Sequence, residues 1–324
     1  MMLVLFRVAA TIALLLLPHS VRAAKLIEFD AFFLDPNGQP FEPQLWWGWN
    51  SQFLSAPGNA FTPVAADGAT GMNAWQVSAN AQSQLNPAYV YAPHPPALEQ
   101  ITEHGSRLSA TARFVEQSGG QGGVGFGAFM NNRSYLVQFD LDTSGALRAS
   151  LDGDPTSPHS LTPAGQGTAD YHGIELRLAA GGDVTAEFWF DGQPILQSWL
   201  GSPLDHENTV QWGVAPLGHG TMNYNYVKYE TGPFDLPGDF SGDGIVDAAD
   251  YTLWRNHLGG QVTPFTGADA DGNGLVDAHD YAHWKTNFGT PIANLHSHTN
   301  AVPEPTTVLL LLVATCAMAW LRQR

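Results

Sequence analysis

Two near-copies of one acidic loop, thirty residues apart, constrain this chain more than any other feature. The first reads DFSGDGIVDAAD from Asp239 to Asp250, and the second DADGNGLVDAHD from Asp269 to Asp280. Both place oxygen-bearing side chains at loop positions 1, 3, 5, 9 and 12, and glycine at position 6. A hard cation such as calcium takes about six to eight oxygens at about 2.3–2.6 Å, and this spacing supplies them from one short loop. In the first loop the candidate ligands are Asp239, Ser241, Asp243, the Ile245 carbonyl, Asp247 and Asp250. In the second they are Asp269, Asp271, Asn273, the Leu275 carbonyl, Asp277 and Asp280. The expectation is two calcium ions, one per loop. Gly244 and Gly274 permit the sharp turn in mid-loop.

The repetition continues past each loop. Tyr251, Trp254 and Leu258 match Tyr281, Trp284 and Phe288, at a spacing that puts each trio on one helix face. Gly259 and Gly289 then stand where a helix C-terminal glycine belongs. An acidic, solvated linker would explain neither the glycines nor the repeated aromatics. Two calcium loops, each followed by one helix and each with Asp at position 12, resemble a type I dockerin over residues 237–289. The resemblance implies calcium binding and docking to a cohesin-like partner on a scaffold. That family reads its partner largely through loop positions 10 and 11, here Ala248 and Ala249, then Ala278 and His279.

Both termini read as targeting segments. Residues 1–23 have the form of a secretory signal, with Arg7, the apolar run Val8 to Leu17, and Val21-Arg22-Ala23 as the cleavage site. At the other end, residues 290–302 read as a linker. Pro303-Glu304-Pro305 then precedes the apolar run Val308 to Leu321 and the basic end Arg322-Gln323-Arg324. As a helix that run spans about 21 Å, short of the ~30 Å hydrocarbon core. Triad, run and basic tail over 303–324 resemble the PEP-CTERM sorting signal, which implies recognition and removal by an exosortase-type enzyme. The competing reading is a plain membrane anchor. Either way, the body of the protein is expected outside the cytoplasm.

Charge fits that expectation. Of 13 Lys and Arg and 30 Asp and Glu, four basic residues and one acid lie in the terminal segments, leaving 9 against 29. So acidic a body argues against nucleic acid, whose phosphates need Lys and Arg. The one cysteine, Cys316, lies in the tail, so the body has no disulfide.

Residues 25–232 read as all-β: short runs separated by Gly, Pro, Asn and Asp, with no convincing helical period. Candidate strands are Leu108–Phe114, Val124–Met130, Tyr135–Leu141, Ala146–Leu151, Gly173–Leu178, Val184–Phe190, Ile195–Leu200, Val210–Val214 and Met222–Tyr229. So many strands favour a two-sheet sandwich. The stretch Tyr171 to Ile195, with its Asp191-Gly192 turn, resembles the paired central strands of a concanavalin A-like (laminin-G-like) jelly roll. The fold expected is therefore mainly β, a jelly-roll β-sandwich followed by a small helical pair of calcium units. Residues 25–105 match less well and are expected to add outer strands and long loops.

The jelly-roll class includes laminarinase-type glycosidases, which need two carboxyls about 5–5.5 Å apart. The nearest string is Glu187-Phe188-Trp189-Phe190-Asp191, whose middle acid is replaced by Trp189. Glu187 and Asp191 stand about 13 Å apart along an ideal strand, so an exposed Glu and a turn Asp are the better reading. Asp140 and Asp142 read as a turn border. His279 and His283 imitate a zinc helix, but Asp280 between them already belongs to a calcium loop. The cluster Trp46, Trp47 and Trp49 is a candidate polysaccharide contact, with core packing as the alternative. The sequence thus favours an exported, non-catalytic calcium-binding protein presenting a sandwich to polysaccharide. The alternatives are a divergent hydrolase and cohesin docking.

Overall fold

Strict alternation in SRLSATARF, Ser106 to Phe114, fixes which face of the chain meets the core. The computed structural model describes residues 24–289 except 32–33, 45–47, 53–56, 68–70, 81–86, 117–123, 182–184, 215–218, 233–236, 243–244 and 263. Two antiparallel eight-stranded sheets pack face to face as a β-sandwich. In spatial order the first contains β13 (Gln193–Trp199), β12 (Ala186–Phe190), β11 (His172–Leu178), β6 (Ser106–Glu116), β16 (Gly220–Thr231), β4 (Ala74–Ala79) and β3 (Asn59–Val64). Strand β1 (Ala24–Asp30) pairs with the second half of β16. The second sheet contains β10 (His159–Ser160), β9 (Leu147–Leu151), β8 (Arg133–Leu141), β7 (Val124–Met130), β15 (Thr209–Val214), β5 (Ala88–Tyr91) and β2 (Asn50–Gln52), with β14 (Ser202–Pro203) on β8.

Inward residues of β6 (Leu108, Ala110, Ala112 and Phe114) sit in the core beside Ile174 and Leu176 of β11 and Tyr224 and Val227 of β16. Across from them, Trp212 of β15 stacks on Tyr89 at 4.6 Å and on Phe29 at 5.5 Å, with Trp49 edge-on at 5.9 Å. Such rings bury about 150–250 Å² each, so this cluster dominates the cohesion between the sheets.

All nine candidate strands are present, with ends shifted by at most a few residues. The segment before residue 106 differs from expectation. Its strands are not all peripheral: β4 pairs with β16, and β5 pairs with β15. It also contains a helix, α1 (Pro95–His104), where no helical period was evident. The helix is short and buries only Ala97 and Ile101, so periodicity is weak, yet its punctuation is clear. His94 caps the start, two prolines occupy the first turn, and Gly105 (φ 77°) ends it. Among the described residues no helix is long and apolar enough to cross a membrane. The signal, residues 1–23, the linker, 290–302, and the tail, 303–324, lie outside the described residues.

The outward residues of β6 and its neighbours are polar but covered. Arg107 is wedged between Glu230, with Nε at 2.8 Å, and Glu175, at 3.4 Å. Arg177 donates to Glu175 at 3.0 Å, and Lys228 pairs with Glu230 at 3.0 Å. Burial alone would raise the Glu175 and Glu230 carboxyls, yet the adjacent cations hold both below the usual carboxylate range. Further along β6, Arg113 grips Asp67 through Nε and Nη2 at 2.9 and 2.8 Å, which ties down the loop before β4. Thr111 is wholly buried, because the carboxyl-terminal repeat lies against it.

Candidate metal centre

Each repeat begins as a loop whose last three positions are already helix. In the second, Asp277 is the N-cap of α3 (Ala278–Asn287) and Asp280 its third residue, forming a capping box. Asp280 Oδ2 accepts from the Asp277 backbone N–H at 2.7 Å, while Oδ1 accepts from Ala270 N at 2.7 Å and Asp271 N at 3.3 Å. A position-12 Asp therefore reaches both the cap and the loop start. Asp247 and Asp250 repeat this box at α2 (Ala248–His257). Asp269 is turned into its own loop, accepting from Gly272 N at 3.1 Å and Gly274 N at 3.0 Å.

The result is a group of three buried carboxylates, Asp269, Asp271 and Asp280, whose oxygens lie within 4.8 Å of one another. Burial first, and then mutual repulsion, raises the Asp269 and Asp280 carboxyls above the ordinary range; Asp271 is raised too, mainly by burial. Among the described residues no lysine or arginine bonds these three acids, so a cation would relieve the pocket. All three donors are oxygen, which suits a hard ion. Asn273 of the same loop borders this group, donating Nδ2–H to Asp271 Oδ2 at 3.0 Å. Leu275 forms an isolated bridge with Gln261, and Asp277 caps the helix. Gly274 adopts φ 80°, as the mid-loop turn requires.

In the first loop Asp239 and Asp250 are buried and Ser241 Oγ donates to Asp239 at 3.3 Å. Its Ser241 N–H donates to Asp250 Oδ1 at 2.8 Å, and Ile245 is 47% exposed. Asp243 and Gly244 lie outside the described residues.

The two units interlock about an approximate dyad. Trp254 Nε1 donates to the Asp277 carbonyl and Trp284 Nε1 to the Asp247 carbonyl, both at 2.7 Å. Tyr251 meets Trp284 at 5.2 Å and Trp254 meets Tyr281 at 5.0 Å. Gly259 and Gly289, at φ 82° and 81°, donate to the carbonyls of Val276 and Val246. The third apolar member of each trio departs from expectation. Leu258 and Phe288 fall at the helix C-caps and are 54% and 56% exposed, although one side of the Phe288 ring still meets Trp284 edge-on at 5.0 Å.

Residues 237–288 match the Dockerin type I domain. The match covers the dockerin region. Among curated proteins, none matches this chain. The chain is similar to the solved structure of the conserved carbohydrate esterase of the Shiga toxin-encoding bacteriophage phi24B, at 14% identity and a TM-score of 0.45, covering 64% of this chain and 99% of that one. It is also similar to the binding domain of botulinum neurotoxin serotype D, at 8% identity and a TM-score of 0.40, covering 75% of this chain and 55% of that one. A Trypanosoma rangeli sialidase in complex with sialic acid aligns at 14% identity and a TM-score of 0.33, covering 54% of this chain and 31% of that one.

The other candidates are dispersed. Glu187 accepts from Trp189 Nε1 at 2.9 Å and stands opposite Arg177 in the sheet. Asp191 is in the turn at φ 47° and bonds His172 Nδ1 at 2.8 Å and Gly173 N at 2.9 Å. They occupy opposite ends of β12 and each has its own partners. Asp140 pairs with Arg148 and Asp142 caps its turn. Trp49 is wholly buried in the aromatic core, so it has no ring face for a sugar; Trp46 and Trp47 lie outside the described residues.

What sequence reading missed is a cleft of about 800 Å³ between the sandwich and the second loop, bordered by Tyr171, His172, Asp191, Gln193, Asn273 and His279. One signal was available. Glycine inside a strand marks close approach of another backbone, and Gly173 sits in β11.

Proposed function

We propose that this chain is an exported calcium-binding protein whose dockerin region, carrying one ion in each loop, docks a non-catalytic sandwich to a cohesin-like partner. The observation that carries this reading is the buried trio Asp269, Asp271 and Asp280, in a loop the chain repeats. Residues Asp239, Ser241, Asp243, Asp247 and Asp250, with the Ile245 carbonyl, would hold the first ion. Asp269, Asp271, Asn273, Asp277 and Asp280, with the Leu275 carbonyl, would hold the second. Bound calcium neutralises the carboxylates and locks the loop to the start of the following helix.

The docking part has its own support. Of seven large apolar side chains left exposed among the described residues, four lie in the dockerin region: Ile245, Leu258, Leu275 and Phe288. They come as two repeat-related pairs, and the helix starts beside them carry exposed Ala248, Ala249, Ala278 and His279. Exposed apolar side chains at such density suit a protein partner. The double substitution Leu258→Asp and Phe288→Asp is expected to abolish capture by an immobilised cohesin panel while leaving the calcium titration unchanged. Capture equal to wild type would remove those residues from the docking face. A titration that records no heat with millimolar calcium would overturn the reading as a whole.

For the sandwich, a concanavalin A-like jelly roll binding polysaccharide remains the reading, and the cleft edged by hydrogen-bonding side chains is its candidate seat. The separate engagement of Glu187 and Asp191 supports a non-catalytic role. Reducing-sugar release from a polysaccharide panel would count against it. A processed 303–324 tail would deliver the protein to the cell surface.

A further inference from the structure

The twin loops share their spacing, and the second is joined to the sandwich through its own backbone. Its Gly272 carbonyl accepts a 2.6 Å hydrogen bond from Thr111 Oγ1 of β6. The Asp271 carbonyl approaches β11 so closely that a Cβ on Gly173 would lie 1.9 Å from it. His283, one turn after Asp280, fills the space above Gly192, where a Cβ would come within 2.4 Å of the ring, and its Nδ1 is 3.4 Å from Gln193 Nε2. Two of the sandwich contact points, Gly173 and Gly192, are glycines whose Cβ positions this neighbour already occupies. In the first loop the equivalent glycine, Gly242, is exposed and a Cβ there would meet nothing within 4 Å.

We propose that calcium in the second loop latches the dockerin region onto the outer face of the first sheet, and that losing this ion releases it. The inference rests on the calcium reading above. Its core is that one stretch of backbone has two tasks. Asp271 and Asn273 offer donor side chains at positions 3 and 5, while the Asp271 and Gly272 carbonyls make the contact with β11 and β6. Without the ion, Asp269, Asp271 and Asp280 repel within a buried space, and the loop conformation that presents those carbonyls loses its support. The ion shifts the equilibrium because it binds the ordered loop and not the relaxed one. The first loop faces the sheet across a cavity of about 280 Å³, with Gly242 open, so its ion bears less on docking than the second loop's. The cleft also exists only in the latched state, since the second loop forms one of its walls.

The test uses the full chain with its one cysteine removed, Cys316→Ser, and a reporter thiol added. Thr111→Cys places the reporter under the latch, its thiol replacing the hydroxyl that donates to Gly272 and leaving the Gly173 and His283 contacts to hold the loop, so every arm is compared with this variant in calcium. Val137→Cys places a control in the sandwich core, and both positions are wholly buried. In calcium chloride both thiols should label slowly with maleimide. In EGTA the Thr111→Cys thiol should label faster by about tenfold or more, as for a local opening, and the Val137→Cys thiol should not. Adding Asp269→Asn should expose the Thr111→Cys thiol in calcium, whereas adding Asp239→Asn should leave it protected. Adding Gly173→Ala should also expose it in calcium, with calcium uptake by titration retained. If labelling is the same in calcium and EGTA while titration records two ions, the latch is wrong and the calcium reading stands. If titration records no ion, both fall. Simultaneous exposure of both thiols in EGTA would mean global unfolding, which overturns the latch. Exposure by Asp239→Asn would overturn the assignment to the second loop.

Discussion

Asp280→Asn is expected to change the sign of its effect with calcium. In millimolar calcium the variant should be less stable than wild type, and in EGTA as stable or more so. Two properties of Asp280 produce the inversion. As the last loop carboxylate it would be a principal ligand, and an ion held at about a thousandfold above its dissociation constant stabilises a fold by about 4 kcal/mol. As one of three acids whose oxygens lie within 4.8 Å, it is a source of repulsion when no ion neutralises them. Asparagine keeps the size and one acceptor, so the cap bond from Asp277 N–H is retained while the bonds from Ala270 and Asp271 N–H are lost in both conditions, a cost that the relief of repulsion offsets only in EGTA. Thermal unfolding in both conditions reads the result. A deficit of equal size in calcium and in EGTA would show that Asp280 serves the cap and not an ion.

The loops and their helices were legible because their chemistry is local. Ligand spacing, the turn glycine, the cap and the closing glycine all lie within twenty residues of one another, and each acts through its neighbours in sequence. The later strands were legible for a similar reason, since SRLSATARF declares its core face by alternation alone. That same alternation misleads about the other face. Arg107, Thr111 and Arg113 look solvent-facing in the sequence, and they are buried in the fold. What covers Thr111 is the backbone of Gly272, and Gly173 meets the backbone of Asp271, so the contact has almost no side-chain signature. Trp49 was open to both readings because only the partner strand β5 and the rings of Tyr91 and Trp212 decide where it points. The first hundred residues were obscure because their strands are short and interrupted, and α1 buries too few side chains to show a period.

Arg107→Ala is expected to cost about 3–5 kcal/mol, because it removes one member of a buried ionic group and strands the others. Glu230 and Glu175 are both nearly inaccessible, and Arg107 bonds each of them. Arg177 and Lys228 remain as partial compensation, which places the loss toward the lower end. The pH dependence separates this account from simple loss of packing. In wild type both carboxyls titrate below their ordinary 4.5, so their stabilisation is present above that pH and fades as pH falls through the depressed values. In Arg107→Ala burial acts with less opposition and the carboxyls move upward, so the variant recovers as they protonate. The difference between variant and wild type should therefore be largest at neutral pH and shrink on acidification. Urea unfolding at neutral pH and near pH 4.5 measures it. Adding Glu230→Gln to Arg107→Ala should restore part of the loss at neutral pH, since the amide carries no charge to strand. A penalty independent of pH, with no recovery in the double variant, would assign Arg107 a packing role and leave the ionic group without energetic consequence.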